Sequence, residues 1–416
     1  MSYIDLKYKP SKDDLICSFR IEPAKGLSVK KVAEAVAAES SVGTWTNIKT
    51  MKPRIRKMAA KVFEIKGNWV KIAYPSVLFE SGNMPEIMSS IGGNIFGMRA
   101  VKNIRLEDVE WPEKIKKSFK GPKFGIYGVR KLLHVKDRPL VGTIVKPKIG
   151  LNEREHAKVA YQAWIGGCDI VKDDENLTSQ SFNNFEKRVV ETLKLRDKAE
   201  NKTGERKMYM PNVTAETREM IKRAKFVKKQ GGEYVMVDIL TAGWSGLQTL
   251  RDEGLNLVIH AHRAGHATFT RNKRHGISML VVADIARLIG VDQLHIGTVV
   301  GKMEGGKEEV YHIEDEIEKR FIREKGHYLE EDWGKIKPVF AVCSGGLHPG
   351  LVPKLMKIMG KNIIIQAGGG IHGHPKGTLL GAMAMRHAVD ASLKNISLKE
   401  YAKSHNELRE ALKKWS

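Results

Sequence analysis

Hydrophobic positions along the chain follow two regimes. In the first, DDLICSFRIEP alternates as a strand, VKKVAEAVAAES carries the apolar stripe of an amphipathic helix, and WVKIAYP reads as another strand. These segments show no regular repeat and predict a small α+β domain of ferredoxin-like type. The stretch from Pro112 to Pro122, rich in proline, glycine and lysine, is where that domain should end. The expected division is an N-terminal domain over 1–121 and a larger one over 122–416.

Beyond that point short β-branched runs alternate with helical segments. LVGTIVKPK, GCDIVKDDE, KMYMPNVT, YVMVDILTAG, LNLVIHAHRAG, QLHIGTVVGK, VFAVCSGG and NIIIQAGGG make eight strand candidates. Between them, segments such as EREHAKVAYQAWIGG and AETREMIKRAKFVKKQGG are amphipathic and finish on glycine. Strand-helix alternation implies a parallel sheet, and eight units fit a (β/α)8 TIM barrel. An open doubly wound sheet accounts for the same alternation, because a strand count does not show closure.

Composition narrows the function classes. The 416 residues are 42% hydrophobic and 29% charged, values of an ordinary globular chain with a sizeable core. The best membrane candidate, Ile277 to Val291, is broken by Asp284 and Arg287, and the opening MSYIDLKYKP lacks the apolar stretch of a signal peptide. A soluble, cytoplasmic protein without membrane partners is therefore expected. Cys17, Cys168 and Cys343 form no CxxC pair, which argues against disulfides and a cysteine zinc site. The net charge of +23 favours anionic partners. Its lysines and arginines are scattered, apart from a concentration in Trp111 to Gly125, and no zinc-finger or RNA-binding signature accompanies them, so nucleic acid is not the expected partner.

The candidate chemistry lies at the strand ends. In GTIVKPKIG, Lys146 and Lys148 share one face of an extended segment and suit an anion. In GGCDIVKDDEN, period two puts Lys172 and Asp174 on one side, Glu175 just beyond the strand and Asp173 facing away. Asp174 and Glu175 are hard-oxygen donors suited to magnesium, but the Lys172 ammonium would repel the ion. A carbon dioxide adduct on that lysine, a carbamate, would turn it into a third anionic ligand. VIHAHRAGH supplies His260, His262 and Arg263, with one histidine of the pair expected to pack below the site and Arg263 to fork onto a phosphate. HIGTVVGKMEGG begins at His295 and carries Lys302 in a glycine-bounded loop with the composition of a lid. The turns SGG (Ser344, Gly345, Gly346) and GGG (Gly368 to Gly370) suit backbone contact with a phosphate at the last two strands of a barrel.

Taken in order, GTIVKPKIGL, GGCDIVKDDEN, HAHRAGH, HIGTVVGKMEG, CSGG and QAGGGIHGHPKG closely resemble the large subunit of ribulose-1,5-bisphosphate carboxylase/oxygenase (RuBisCO). AAESSVGTWT and GGNIFGM resemble that family's N-terminal motifs, and the whole is most similar to the archaeal form, which works without small subunits. The resemblance implies a lyase that carboxylates ribulose 1,5-bisphosphate to two 3-phosphoglycerates, with an oxygenase side reaction, in AMP or nucleoside salvage. It implies Mg2+ held by Asp174, Glu175 and Lys172 as N6-carboxylysine, the lysine being activated by CO2. Lys146 would be the final acid, tuned by Lys148, and His262 would assist proton transfers. Arg263 and His295 would hold one phosphate, with Ser344 on a nearby hydroxyl. Gly345, Gly346, Gln366, Gly368 and Gly369 would line the substrate's other end with Thr44 and Trp45. Lys302 would close over the site, positioned by Glu39, and Asn94 would contact substrate near the metal.

In the family Glu39, Thr44, Trp45 and Asn94 reach a partner's site, which implies a homodimer with shared active sites and allows a ring of dimers. Ile144 and Ile296 depart from the threonine and serine common at those positions, and both bear on hydrogen bonding near the site. Three readings stand beside the main one. A RuBisCO-like enolase or isomerase would keep the metal site, but the joint presence of Lys302, Glu39, Asn94 and His295 argues against it. A metal-dependent amidohydrolase would carry its H-x-H pair on the first strand rather than the fifth. A basic scaffold or nucleic-acid-binding protein would have shed some strand-end charges.

Overall fold

A computed structural model describes residues 2–46, 48–300 and 307–415, which form two compact units. The first comprises Met1–Gly121, Gly265–Ile289 and Lys319–Ile336, the second Pro122–Ala264, Gly290–Glu318 and Lys337–Ser416.

The first unit is built on a sheet ordered Gly276–Ile277, Val101–Glu110, Asp14–Pro23, Trp69–Pro75, Lys61–Lys66. Its long strands pair antiparallel, while Gly276–Ile277 adds a short parallel edge to Val101–Glu110. The helix Val29–Glu39 starts where Ser28 accepts the backbone N–H of Lys31, and it buries Val32, Ala33 and Val36. Every residue of the helix Met279–Ile289 is buried, the apolar run that the sequence shows at 277–291. Its two charges are accommodated within the unit: the Arg287 guanidinium stacks 4.4 Å from the Trp333 ring centre and donates to the Lys319 carbonyl, and Asp284 is equally buried. Among the described residues no helix is long and apolar enough to cross a membrane.

The second unit contains eight parallel strands: Leu140–Ile144, Ile170–Lys172, Met208–Met210, Tyr234–Asp238, Val258–His262, Gln293–Gly297, Phe340–Ser344 and Ile363–Gln366. They are numbered one to eight below. Strand one sits between strands two and eight, and the order continues round to strands three and four at the ends. Those ends meet: Met236 N–H donates to the Pro211 carbonyl and Val213 N–H to the Met236 carbonyl, with a parallel bridge between Asn212 and Met236. The sheet is therefore a closed barrel rather than an open doubly wound sheet.

Helix Gly125–Leu133 plugs the end where the strands begin. Its Ile126, Val129 and Leu133 join Leu140, Ile170, Met208, Tyr234, Phe340 and Ile364 in one buried cluster. Asp292 anchors this plug by accepting the N–H groups of Phe124 and Gly125 at the helix start and that of Ile259 on strand five. With that end filled by apolar side chains, the polar strand C-termini form the other end.

The Phe340 ring is fully buried in this cluster, under the Arg130 guanidinium. Phe340→Ala is expected to lower the stability of this unit by about 3–5 kcal/mol. Urea unfolding reads this, and a loss below about 1 kcal/mol would show that the plug does not pack there.

Candidate active site

Strand two ends in Lys172, Asp173, Asp174 and Glu175, and the alternation of the pleat separates their side chains. Asp173 points out of the barrel into a fully buried socket. Its carboxylate receives the Tyr209 hydroxyl at 2.6 Å, Arg188 Nε at 3.1 Å and the Asn212 N–H at 2.9 Å, and His156 Nε2 lies 3.1 Å away. Burial pushes its pKa up, but Arg188 and His156 hold it well below the ordinary carboxylate range. Arg188 also donates to Asn183 and to the Thr178 carbonyl, so the loop after strand two is tied to the helix Phe185–Thr203.

With Asp173 pinned outside, Lys172 and Asp174 face the interior. Lys172 is 1% exposed, and its Nζ donates to the Asp173 carbonyl at 2.8 Å, beside Met236 Sδ at 3.2 Å. Burial lowers its pKa, against the pull of Glu175 and Asp174. Lys146, from the end of strand one, donates to Asp174 Oδ2 at 2.6 Å. Lys148 lies 3.9 Å from Asp174 and 3.8 Å from Glu175, whose Oε2 is 3.6 Å from Lys172. Burial alone would raise the pKa of Glu175, but Lys172 and His262 bring it down to about 2. Asn212, from beyond strand three, secures the turn by donating to the Glu175 carbonyl at 3.1 Å.

Three ammonium groups thus converge on two carboxylates. Asp174 and Glu175 are oxygen donors of the kind magnesium takes. Among the described residues no set of three or more His, Cys, Asp or Glu side chains converges as a metal centre. These residues fit a magnesium ion if Lys172 exchanges its positive charge for anionic oxygens, since its Nζ already stands beside Glu175.

Strand five brings His262 to the same place, with Nε2 3.8 Å from Glu175 Oε2 and Nδ1 2.6 Å from Asp238 Oδ1. Asp238 ends strand four and is buried, so it fixes the orientation of the imidazole through Nδ1. The sequence reading passed over it, although a polar residue at the C-terminal end of a barrel strand, YVMVD, was the available signal. His260, the other histidine of the pair, is the packed one: it is fully buried between Gln293 and His295. His295 bonds onward to Ser344 Oγ at 2.8 Å. The guanidinium of Arg263 lies against Gly297, and the Glu309 carboxylate is the charge that offsets its burial. Burial lowers its pKa to about 10.

At strands seven and eight, Gly345 and Gly346 turn the chain with φ of +111° and +71°, a region that glycine tolerates best. The side chain of Lys146 passes Gly368, with Cε 3.1 Å from the place a β-carbon would occupy, so the Gly368–Gly369 turn borders the lysine cluster. His372 clips this turn to strand one through Thr143 Oγ1 at 2.9 Å. Gln366 is 1% exposed, and neither atom of its amide has a hydrogen-bond partner among the described residues. It lies across Gly142, where a β-carbon would stand 2.2 Å from Oε1. Lys302 lies outside the described residues.

In the first unit, Glu39, Thr44, Trp45 and Asn94 line one hollow of about 1330 Å³ together with Lys31, Arg56 and Arg99. Trp45 is 91% exposed there.

Comparison with known proteins shows the family. The family model for the ribulose bisphosphate carboxylase large chain, catalytic domain, matches residues 125–415, and that for its N-terminal domain matches residues 2–115. The chain belongs to the RuBisCO large-chain family. Among curated members, ribulose bisphosphate carboxylase of Methanocaldococcus jannaschii is 54% identical over 427 residues, covering 100% of both chains. The Methanosarcina mazei protein of the same name is 53% identical, covering 99% of this chain and 98% of its own. Among solved structures, dimeric archaeal Rubisco from Hyperthermus butylicus superposes with a TM-score of 0.94 at 49% identity, covering 99% of this chain and 98% of that one. Octameric RuBisCO from Pyrococcus horikoshii gives 0.92 at 48%, covering 99% and 96%.

Asp173→Ala would strand the buried Arg188 charge. A loss of about 3–5 kcal/mol is expected, measured by chemical unfolding, and a near-neutral result would mean that water reaches Arg188.

Proposed function

We propose that this member of the RuBisCO family is a magnesium-dependent ribulose-1,5-bisphosphate carboxylase/oxygenase, a carboxy-lyase serving AMP or nucleoside salvage. The observation that carries the reading is the convergence of Lys146, Lys172, Asp174, Glu175 and His262 at the ends of strands one, two and five. Burial favours the neutral amine of Lys172, the form that attacks carbon dioxide. The new N–C bond yields a carbamate, and the displaced proton leaves to solvent. Mg2+ held by Asp174, Glu175 and the carbamate would supply Lewis-acid stabilisation of charge on the sugar oxygens.

Lys172, once carbamylated, would serve as the base for the C3 proton of ribulose 1,5-bisphosphate, whose loss gives an enediolate. Carbon dioxide adds at C2 and water at C3, and cleavage of the C2–C3 bond releases one 3-phosphoglycerate and a carbanion. Lys146 protonates that carbanion to give the second product, and Lys148, which shares the Asp174 carboxylate, tunes it. O2 attacking the same enediolate gives the oxygenase reaction. His262, held through Nδ1 by Asp238, turns Nε2 toward the sugar hydroxyls for proton transfer.

Arg263 takes one phosphate, with His295 and Ser344 at the same end of the sugar. Gly345, Gly346, Gly368, Gly369 and the amide of Gln366 line the other end. Glu39, Thr44, Trp45 and Asn94 complete the site of a second copy, Glu39 positioning Lys302, so the working unit is a homodimer without small subunits. Their clustering in one open hollow supports this, as do the dimeric and octameric relatives, which also make a ring of dimers a natural assembly.

Purified protein given Mg2+, labelled bicarbonate and ribulose 1,5-bisphosphate anaerobically should form labelled 3-phosphoglycerate, and chelation should abolish it. Lys172→Met should reduce turnover by at least about 100-fold with the circular dichroism unchanged. Enolisation without labelled product in the unaltered protein would instead support a RuBisCO-like enolase or isomerase. Asp238→Asn should lower kcat by about 100- to 10,000-fold, and wild-type turnover in that variant would remove His262 from proton transfer.

A further inference from the structure

The loops that follow strands seven and eight pack on each other backbone to backbone. A β-carbon on Gly370 would stand 2.0 Å from the Leu347 carbonyl oxygen and 2.8 Å from His348 Cα, so only glycine lets the two loops approach this closely. The helix Asn406–Trp415 lies against both loops.

Trp415 touches each of them. Its ring stacks on that of His348, with centres 5.8 Å apart and planes inclined by 26°, and its Cζ2 lies 3.6 Å from the place a β-carbon of Gly373 would occupy. Lys414 donates from Nζ to the Gly373 carbonyl at 2.6 Å. The Gly373 N–H in turn donates to the Gly369 carbonyl at 2.9 Å, so a contact on Gly373 lies one hydrogen bond from the turn at strand eight. Further along the same helix, Glu410 pairs with Lys376 at 2.7 Å, and the Glu407 carbonyl accepts His374 Nε2 at 3.0 Å. His374 is 3% exposed and its Nδ1 accepts the Lys376 N–H, so this anchor is itself fixed.

Glycines have no side chains with which to hold a turn, and ordering each residue costs about 1–2 kcal/mol of conformational entropy. An anion that meets loose turns must order them as it binds, whereas turns already held bind it more tightly. We infer that Trp415 is a positioning residue for the substrate's phosphate: with Lys414 it clamps the Gly345–Gly346 and Gly368–Gly369 turns into one platform. The indole works by its span, with His348 of one loop on one side and Gly373 of the other beside it. The consequence for substrate rests on the reading of these turns as the phosphate end of the site; the clamp does not.

The test compares the full-length, ligand-free protein with Trp415→Ala and Trp415→Phe. Hydrogen–deuterium exchange in segments 344–350 and 366–373 should quicken by about 10-fold or more in Trp415→Ala, with strand two unchanged. In turnover assays the same variant should raise KM for ribulose 1,5-bisphosphate about 5- to 10-fold while kcat changes less than about 2-fold, the pattern of binding lost equally from ground and transition states. Trp415→Phe keeps an aromatic ring against His348 and should recover most of both effects.

Unchanged exchange in both segments overturns the clamp. Faster exchange with the original KM reduces the helix to packing alone and overturns the positioning role. If Trp415→Ala does not fold, Lys414→Met decides, because that side chain is exposed and only its bond to Gly373 is lost. It should quicken exchange at 366–373 and raise KM about 2- to 3-fold, and no change in either overturns the inference. Faster exchange in Trp415→Ala, when the unaltered protein turns over no ribulose 1,5-bisphosphate, would support the clamp and sink the carboxylase reading instead.

Discussion

Everything at the reactive end of the barrel depends on the buried pairing of Asp173 with Arg188. A carboxylate without water must find donors, and Asp173 finds a guanidinium, a phenol and a backbone N–H outside the strand. Because the pleat alternates, holding Asp173 outward forces Lys172 and Asp174 inward, where neither could sit alone at tolerable cost. The ion pair is thus less a source of net stability than a register pin: it decides which side chains of strand two face the barrel interior.

Inside the barrel the same accounting of charge shapes the lysine cluster. Lys172 is buried deeply enough that desolvation works against its ammonium, yet it stands beside the carboxylate of Glu175. From beyond strand one Lys146 reaches Asp174 and Lys148 lies near both Asp174 and Glu175, while from strand five His262 lies near Glu175 with Asp238 behind it. Closure of the barrel through the contacts of Met236 with Pro211 and Val213 brings strand four, and with it Asp238, to the strands that bear the lysines.

The eight strand runs, their alternation with glycine-terminated helices and the polar strand ends were legible because periodicity is local. Gly142, by contrast, looks in the sequence like a flaw in a strand, and only the Gln366 side chain lying across it gives it a purpose. Asp173 reads as the odd carboxylate of an acidic turn, since its partners Arg188 and Tyr209 come from a helix and a strand further along the chain. Gln293 and Asp238 stayed unnoticed for a similar reason: each pairs with a histidine on a neighbouring strand, a contact that exists only across the sheet. The segments 265–289 and 319–336 belong with the first unit by contacts such as Gly276 with Arg105 and the Lys116–Glu331 ion pair, which no local pattern encodes.

By itself, then, the sequence determined the barrel alternation, the family and the residue types at each strand end, because hydrophobic period and motif order are properties of neighbouring residues. Only the tertiary structure decided that the barrel closes, which histidine of the pair is packed, that Asp173 braces rather than binds, and that Asp238 and Gln293 stand behind the site. Those outcomes depend on contacts between strands far apart in the chain, where burial favours charges and N–H groups that find a partner.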